Sequence, residues 1–502
     1  MLDLESLRKA LGATKVAIMG ISYGTHVALQ YARAFPQNVD RLILDSVVGP
    51  GNPDPFSLDS YRNVPKILRE QCANNRCRGV TADPVADLAS LITGMNANGP
   101  LRGSFFDDRG TRRATLYRNP DELFFLLVAG DLNPLMRAAL PGAIASARRG
   151  DTAELMRLRR IGQGSRTPTA DLSFGLFVAT NCLDTALPYP LATTPLAARP
   201  ALAQAALTAV PPAEYAPFDP ATVLRSSSAD DCSAWPNDVA RAPFAGPLPD
   251  VPALLLGGRL DMRTPIANAR ATAALLPHSK VVALPGNGHD AIDSDLTGCI
   301  DRAFRRFMDN LQVGDPCRGR DNGFQPLPQP PRSLDDFRSA PGVGGVRGRA
   351  LFGTLDSVND AIITATQLED SQLPTRGGGL RAGRFRVFDQ GSAIKLTRYA
   401  YVPGLRLTGT VRADNNGNTG RLRVEGPKGA SGSVQITRTG ATGRLGGRPF
   451  RYRAPGARGA SASAASVGAA GALAGAHRVG IAQEPALSLS GMRRLAAHRT
   501  LP

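Results

Sequence analysis

The sequence has little of what would carry it through a membrane or hold a metal. No uncharged apolar run reaches the roughly 18 residues that a spanning helix needs. No CxxC and no Cys/His cluster with zinc spacing occurs, which removes the zinc-ribbon and zinc-finger classes, and no metal or cofactor is expected. There are five histidines and one tryptophan, so the search for a catalytic base is short. The N-terminus, MLDLESLRK, lacks the basic start and apolar stretch of a signal peptide. Glycine and proline number 53 and 40, together below the roughly 25–30% that marks an unfolded chain, so most of the protein should fold.

What is present is length, cysteine and positive charge. At roughly 150 residues per domain, 502 residues suggest about three domains. The six cysteines separate into neighbours, Cys72 and Cys77, Cys182 and Cys232, Cys299 and Cys317, a spacing that favours three disulfides over metal ligation among the 15 pairings six cysteines allow. Disulfides place the complete protein in a secreted or cell-envelope setting. The net charge of +17 is uneven: residues 1–317 carry 32 basic and 31 acidic side chains, residues 318–502 carry 27 and 11. Only six of the basic residues are lysine, which favours the arginine-rich usage of GC-rich coding DNA over a functional basic surface.

Periodicity divides the chain. A helix is expected over 3–11, with Asp3 as N-cap, Leu4, Leu7 and Leu11 on one face and Gly12 after its end. A strand over 15–19, a glycine-bounded turn, a helix over 25–35 and a buried strand over 41–45 make a βαβ unit. The rhythm resumes with strands at 251–258 and 280–284 and helices at 266–276 and 297–311. Residues 1–50 and 246–318 thus read as the two blocks of one α/β core with a parallel sheet, and 51–245 as a mainly helical cap with helices at 64–72, 120–140, 152–162 and 200–209. Residues 319–333 (containing QPLPQPPR) read as a Pro-rich linker. A small antiparallel β module fills 334–455, with an amphipathic helix over 350–367 and strands that include 393–402, 405–411 and 433–438, one turn falling at Asn415-Asn416-Gly417-Asn418. The Ala/Gly-rich 456–502 reads as a disordered tail.

Gly20-x-Ser22-x-Gly24, set between a buried strand and a helix, has the nucleophile-elbow pattern. Glycines suit so tight a turn, and the amide of Tyr23, at a helix N-terminus, would face a developing oxyanion. A serine needs a base. His477 and His498 lie in the tail, His278 falls on the far side of a strand, and His26, on the elbow helix, reads as a packed side chain. His289 follows the last apolar strand, where the base of a parallel-sheet triad belongs. Asp261, directly after the preceding strand, is the preferred orienting acid, with Asp45 as its competitor.

The runs LRKALGATKVAIMGISYGTHVALQYARAFPQNVDRLILD, VPALLLGGRLDMRTP and LPGNGHDAI resemble the tripeptidyl-aminopeptidase and proline-iminopeptidase branch of the α/β-hydrolases. The Cys299 to Cys317 segment and the NCLD and CSAWP runs are similar to that branch's C-terminal and cap motifs. The resemblance, over residues 3–317, implies a serine exopeptidase that cuts N-terminal residues or tripeptides from unblocked peptides without a cofactor. It also implies a carboxylate for the substrate's ammonium, for which Asp184 is the candidate.

In that branch the first strands and a glycine-rich loop giving a second oxyanion amide precede the nucleophile, whereas the 21 residues before Ser22 hold no HGG- or GGPG-like run. The expectation is an N-terminally incomplete hydrolase whose complete form carries a signal peptide, and whose turnover as it stands is weak or absent. Two alternatives stay open: an esterase or lipase on the same scaffold, and an inactive fragment or protein binding the cell envelope or another polyanion. No specific nucleic-acid signature appears.

Overall fold

In the computed structural model, residues 1–164, 173–238, 244, 246–414 and 417–454 are described. The expected tail (456–502) and the Asn415-Asn416 turn lie outside them. In chain order the strands form a first pair, β1 (Val16–Ile21) and β2 (Val39–Asp45), and a hairpin, β3 (Leu101–Phe106) and β4 (Arg112–Tyr117). A second pair follows, β5 (Ala253–Gly258) and β6 (Ser279–Leu284). The last eight are β7 (Arg376–Gly378), β8 (Ala382–Phe388), β9 (Ala393–Ala400), β10 (Arg406–Asp414), β11 (Gly417–Glu425), β12 (Gly432–Thr437), β13 (Gly440–Leu445) and β14 (Arg448–Arg453).

The described residues fall into two compact units: those within 1–71, 119–134 and 167–324 make one, and those within 72–118, 135–166 and 325–502 the other.

In the first unit the four strands pair in parallel in the order β1-β2-β5-β6. Apolar residues on both faces explain the continuous apolar runs. Leu42, Leu44 and Leu255 pack with Ala28, Leu29 and Ala269 on one face. Ile43, Leu254 and Leu256 pack with Ile300, Ala303 and Phe307 on the other. Every strand points the same way, so residues following β1, β2, β5 and β6 collect at one edge.

The first helix, Leu2–Ala10, departs from expectation. Its N-cap is Met1, not Asp3, Leu4, Leu7 and Leu11 are exposed, and the side chain it buries is Glu5. That carboxylate accepts hydrogen bonds from Arg8 Nε (2.9 Å), Tyr31 Oη (2.8 Å) and Asn38 Nδ2 (3.1 Å), which offset its desolvation.

In the second unit β14 to β7 form an eight-stranded antiparallel meander in sequence order. One face packs on a helix, Gly345–Asp370, longer than expected and buried on nearly all sides rather than amphipathic. Its Asp360 is held by Arg157 Nη1 (3.0 Å), Arg157 Nη2 (2.6 Å) and Tyr399 Oη (2.5 Å), and Glu154 accepts from the same guanidinium (2.5 Å). The β3–β4 hairpin was not expected; its Asp107-Asp108-Arg109-Gly110 turn, with Gly110 at φ 78°, carried the signal. The helix Pro134–Arg148 contains Pro141, and its Ala138 carbonyl accepts the N–H of Leu327, from the Pro-rich segment, at 2.7 Å.

Three disulfides form, Cys72–Cys77, Cys182–Cys232 and Cys299–Cys317. No helix among the described residues is long and apolar enough to cross a membrane.

Candidate active site

At the end of β1 the chain reverses into the helix Tyr23–Ala34 within one residue, Ser22, whose backbone sits at φ 56° and ψ −125°. A left-handed φ on a side-chain-bearing residue is strained and persists only when its surroundings hold it. Here the Ser22 amide donates to the Asp45 carbonyl (2.9 Å), and the Ser22 carbonyl accepts from Thr25 N–H (2.9 Å) and Thr25 Oγ1 (2.6 Å). The two motif glycines differ. A Cβ on Gly20 would lie 2.3 Å from the Gly24 carbonyl oxygen, whereas one on Gly24 meets nothing within 4 Å. Only Gly20 is sterically required.

Asp261 follows β5 and His289 follows β6, and the two meet: His289 Nδ1 lies 3.0 Å from Asp261 Oδ2. Their close approach depends on Gly258, where a Cβ would fall 2.1 Å from the Gly288 carbonyl oxygen. Thr264, three residues beyond Asp261, donates its hydroxyl to Asp261 Oδ2 (2.7 Å) and its amide to Oδ1 (2.9 Å), and its oxygen lies 3.1 Å from His289 Nδ1. With the hydroxyl proton on the carboxylate, both oxygens facing Nδ1 are acceptors. The proton therefore belongs on Nδ1, leaving Nε2 as the basic nitrogen. Burial disfavours the imidazolium, but the hydrogen bond and charge of Asp261 outweigh it and raise the His289 pKa above the ordinary 6.5. Among the described residues no hydrogen bond joins Ser22 to His289.

The competitor, Asp45, does not approach the imidazole. Fully buried at the end of β2, it accepts the Ile292 amide on Oδ2 (2.7 Å) and the Ser46 hydroxyl on Oδ1 (3.1 Å), while Ser46 Oγ accepts the Asp290 amide (2.8 Å). It thus anchors the turn just after His289. Burial pushes its pKa up to about 7. His26 is packed, with Nδ1 3.4 Å from the Gly49 carbonyl, and His278 pairs with Asp250 at 3.3 Å.

Sequence reasoning missed three supports. Asp131, in the bend between the helices Pro120–Ala129 and Pro134–Arg148, accepts the amides of Met262 (2.9 Å) and Arg263 (3.2 Å) on Oδ2, and its carbonyl accepts the His289 amide (3.2 Å). It ties the loop of the acid to the loop of the base. Asn322 Nδ2 donates to Asn287 Oδ1 (2.7 Å) and to the Ser294 carbonyl (2.8 Å) across the histidine loop. Thr264 is the third; only its place three residues after an aspartate marked it.

Tyr23 opens the elbow helix, so its amide is among the donors a helix leaves unpaired. Its hydroxyl bonds Asp184 Oδ2, which brings that carboxylate beside the elbow. Burial and the Asp184 charge raise the Tyr23 pKa. A pocket of about 490 Å³ opens here, lined by Tyr23, Arg263, Thr264, Asn181, Asp54 and Asp59 among others.

Comparison with known proteins places two blocks of this unit. Residues 2–70 match the alpha/beta hydrolase fold family, and residues 217–319 match a family described as TAP-like protein. The serine protease Hip1 of Mycobacterium tuberculosis is 37% identical over 87 residues, 16% of this chain and 16% of its own length. The tripeptidyl aminopeptidase of Streptomyces lividans is 31% identical over 156 residues, 28% of this chain and 29% of its own; that of Streptomyces coelicolor is likewise 31% identical over 156 residues. The matched stretches cover less than a third of either relative's length.

Proposed function

We propose that this chain, an α/β-hydrolase resembling the TAP-like branch, is a serine hydrolase in which Ser22 is the nucleophile, His289 the base and Asp261 the acid that orients it. The observation that carries the reading is the Asp261–His289–Thr264 contact set at the same sheet edge as the strained Ser22. Ser22 Oγ attacks the substrate carbonyl as His289 Nε2 takes its proton. The oxyanion forms beside the Tyr23 amide at the helix N-terminus. Collapse breaks the scissile bond, the departing amine takes the proton from Nε2, and water then cleaves the acyl-enzyme by the same route.

The substrate we infer is a peptide with a free N-terminus. Asp184, bonded to Tyr23 at the elbow, supports it: a carboxylate close to the nucleophile favours an ammonium and sets the cut near the chain end. The branch likeness over 217–319 and the tripeptidyl aminopeptidase relatives agree in kind. Three disulfides accord with an envelope or secreted location.

A fluorophosphonate probe tests the nucleophile: Ser22 should be labelled in the wild type, with no label in Ser22→Ala or His289→Ala. Labelling that survives Ser22→Ala refutes the assignment. Whatever turnover is present should fall on aminoacyl and tripeptidyl chromogenic amides and spare their N-acetylated forms; equal cleavage of both, or a preference for short acyl esters, overturns the exopeptidase reading.

A further inference from the structure

Residues 376–454 carry 16 basic and three acidic side chains. Arginine-rich codon usage does not account for this, because the same usage leaves residues 1–317 at 32 basic against 31 acidic. What distinguishes the last stretch is the near-absence of acids.

The meander sorts these charges onto one face. Phe385, Leu396, Leu422, Val424 and Val434 are buried, while the residues alternating with them point to solvent. The register lines up Arg386, Lys395, Thr410, Arg421, Gln435, Thr442 and Arg451 as one cross-strand row from β8 to β14. At about 4.8 Å per strand the row runs about 29 Å. In the neighbouring row Arg423 and Arg444 flank Ser433. Arg386 stands directly opposite Lys395, an arrangement that weakens a sheet rather than supporting it. Of the acids, Asp389 pairs with Arg412 (2.6 Å), and Glu425 lies near Arg398 (3.5 Å) and Arg423 (3.6 Å). Arg386, Lys395, Arg444 and Arg451 meet no carboxylate among the described residues.

We propose that the outer face of the β8–β14 sheet binds a linear acidic polysaccharide. Rows of fixed cations with hydroxyls and an amide between them suit a polymer charged along its length and rich in hydroxyls. Bases would need stacking platforms. Among the described residues of these strands the outward aromatic is Phe388, half-buried under the Arg412 guanidinium, 5.6 Å from its ring centre. A sheet face also does not enter a duplex groove as a helix or a two-stranded ribbon does. The disulfides of the same chain belong to compartments where envelope polymers, not nucleic acids, are the abundant polyanions. The inference stands apart from the hydrolase reading and needs no turnover.

The test uses the full chain against heparin and polygalacturonate, with neutral dextran and duplex DNA as comparators. Both acidic polysaccharides should retain the protein at about 0.15 M salt, and dextran should not. Arg421→Gln and Arg451→Gln should each lower the slope of log affinity against log salt by about one, while Lys280→Gln in the other unit leaves it unchanged. Arg386→Thr should weaken binding several-fold yet raise the melting temperature, because it removes the like-charge pair; this separates a binding role from misfolding. Loss of retention by 0.15 M salt, equal weakening by Lys280→Gln, tighter binding to duplex DNA, or an Arg386→Thr variant that melts lower and binds as before would each overturn the proposal.

Discussion

Replacing Asp45 by asparagine isolates what it costs to keep a carboxyl group buried behind the histidine loop. Asp45 is fully buried, and burial lifts its pKa from 3.8 to about 7 against the opposing Ile292 hydrogen bond. Between about pH 4 and 7 the folded protein therefore holds a proton that the unfolded chain has released, so this group's contribution to stability falls as pH rises through that window. At roughly 1.4 kcal/mol per pH unit the loss amounts to about 4 kcal/mol once the carboxyl is fully ionised. Asparagine keeps an oxygen for the Ile292 amide and does not ionise. The two proteins should be close in stability at pH 4, and the variant's advantage should grow by up to about 4 kcal/mol by pH 8. Urea unfolding followed by the fluorescence of Trp235, the single tryptophan and in the same unit as Asp45, measures this directly. A stability difference that stays flat with pH would refute the reasoning.

Other predictions follow the same contacts. The acid limb of kcat/KM should lie above pH 6.5, because Asp261 raises the His289 pKa and the base must be neutral to act. Asp131→Asn, which removes a negative charge near that imidazole, should move the limb to lower pH, and Asp131→Ala, which strands two amides, should cut kcat/KM by about 10²-fold; pH–rate profiles check both. Gly20→Ala should abolish fluorophosphonate labelling whereas Gly24→Ala should label at a rate near the wild type, since only the first Cβ has no room. Asp360→Ala, leaving Arg157 buried without one of its carboxylates, should destabilise the second unit by about 3–5 kcal/mol in chemical denaturation.

Local pattern determined much of this protein. The continuous apolar runs of β2 and β5, the Gly20-x-Ser22-x-Gly24 turn and the positions of Asp261 and His289 after their strands could be read from the sequence, because strand burial and tight turns each leave a short-range signature. The neighbouring cysteines likewise paired as their spacing suggested. Tertiary structure alone decided which groups support the candidate site. Asp131 reaches Met262 across 131 positions and Asp45 reaches Ile292 across 247, and both bond to backbone amides, which have no residue identity for a pattern to reveal. For the same reason the helix Gly345–Asp370 looked amphipathic: its buried Asp360 reads as a solvent residue until Arg157 and Tyr399 are brought to it. The surplus of arginine was plain from composition, but only the antiparallel register turned it into rows on one face, since alternation fixes a side and strand pairing fixes a neighbour.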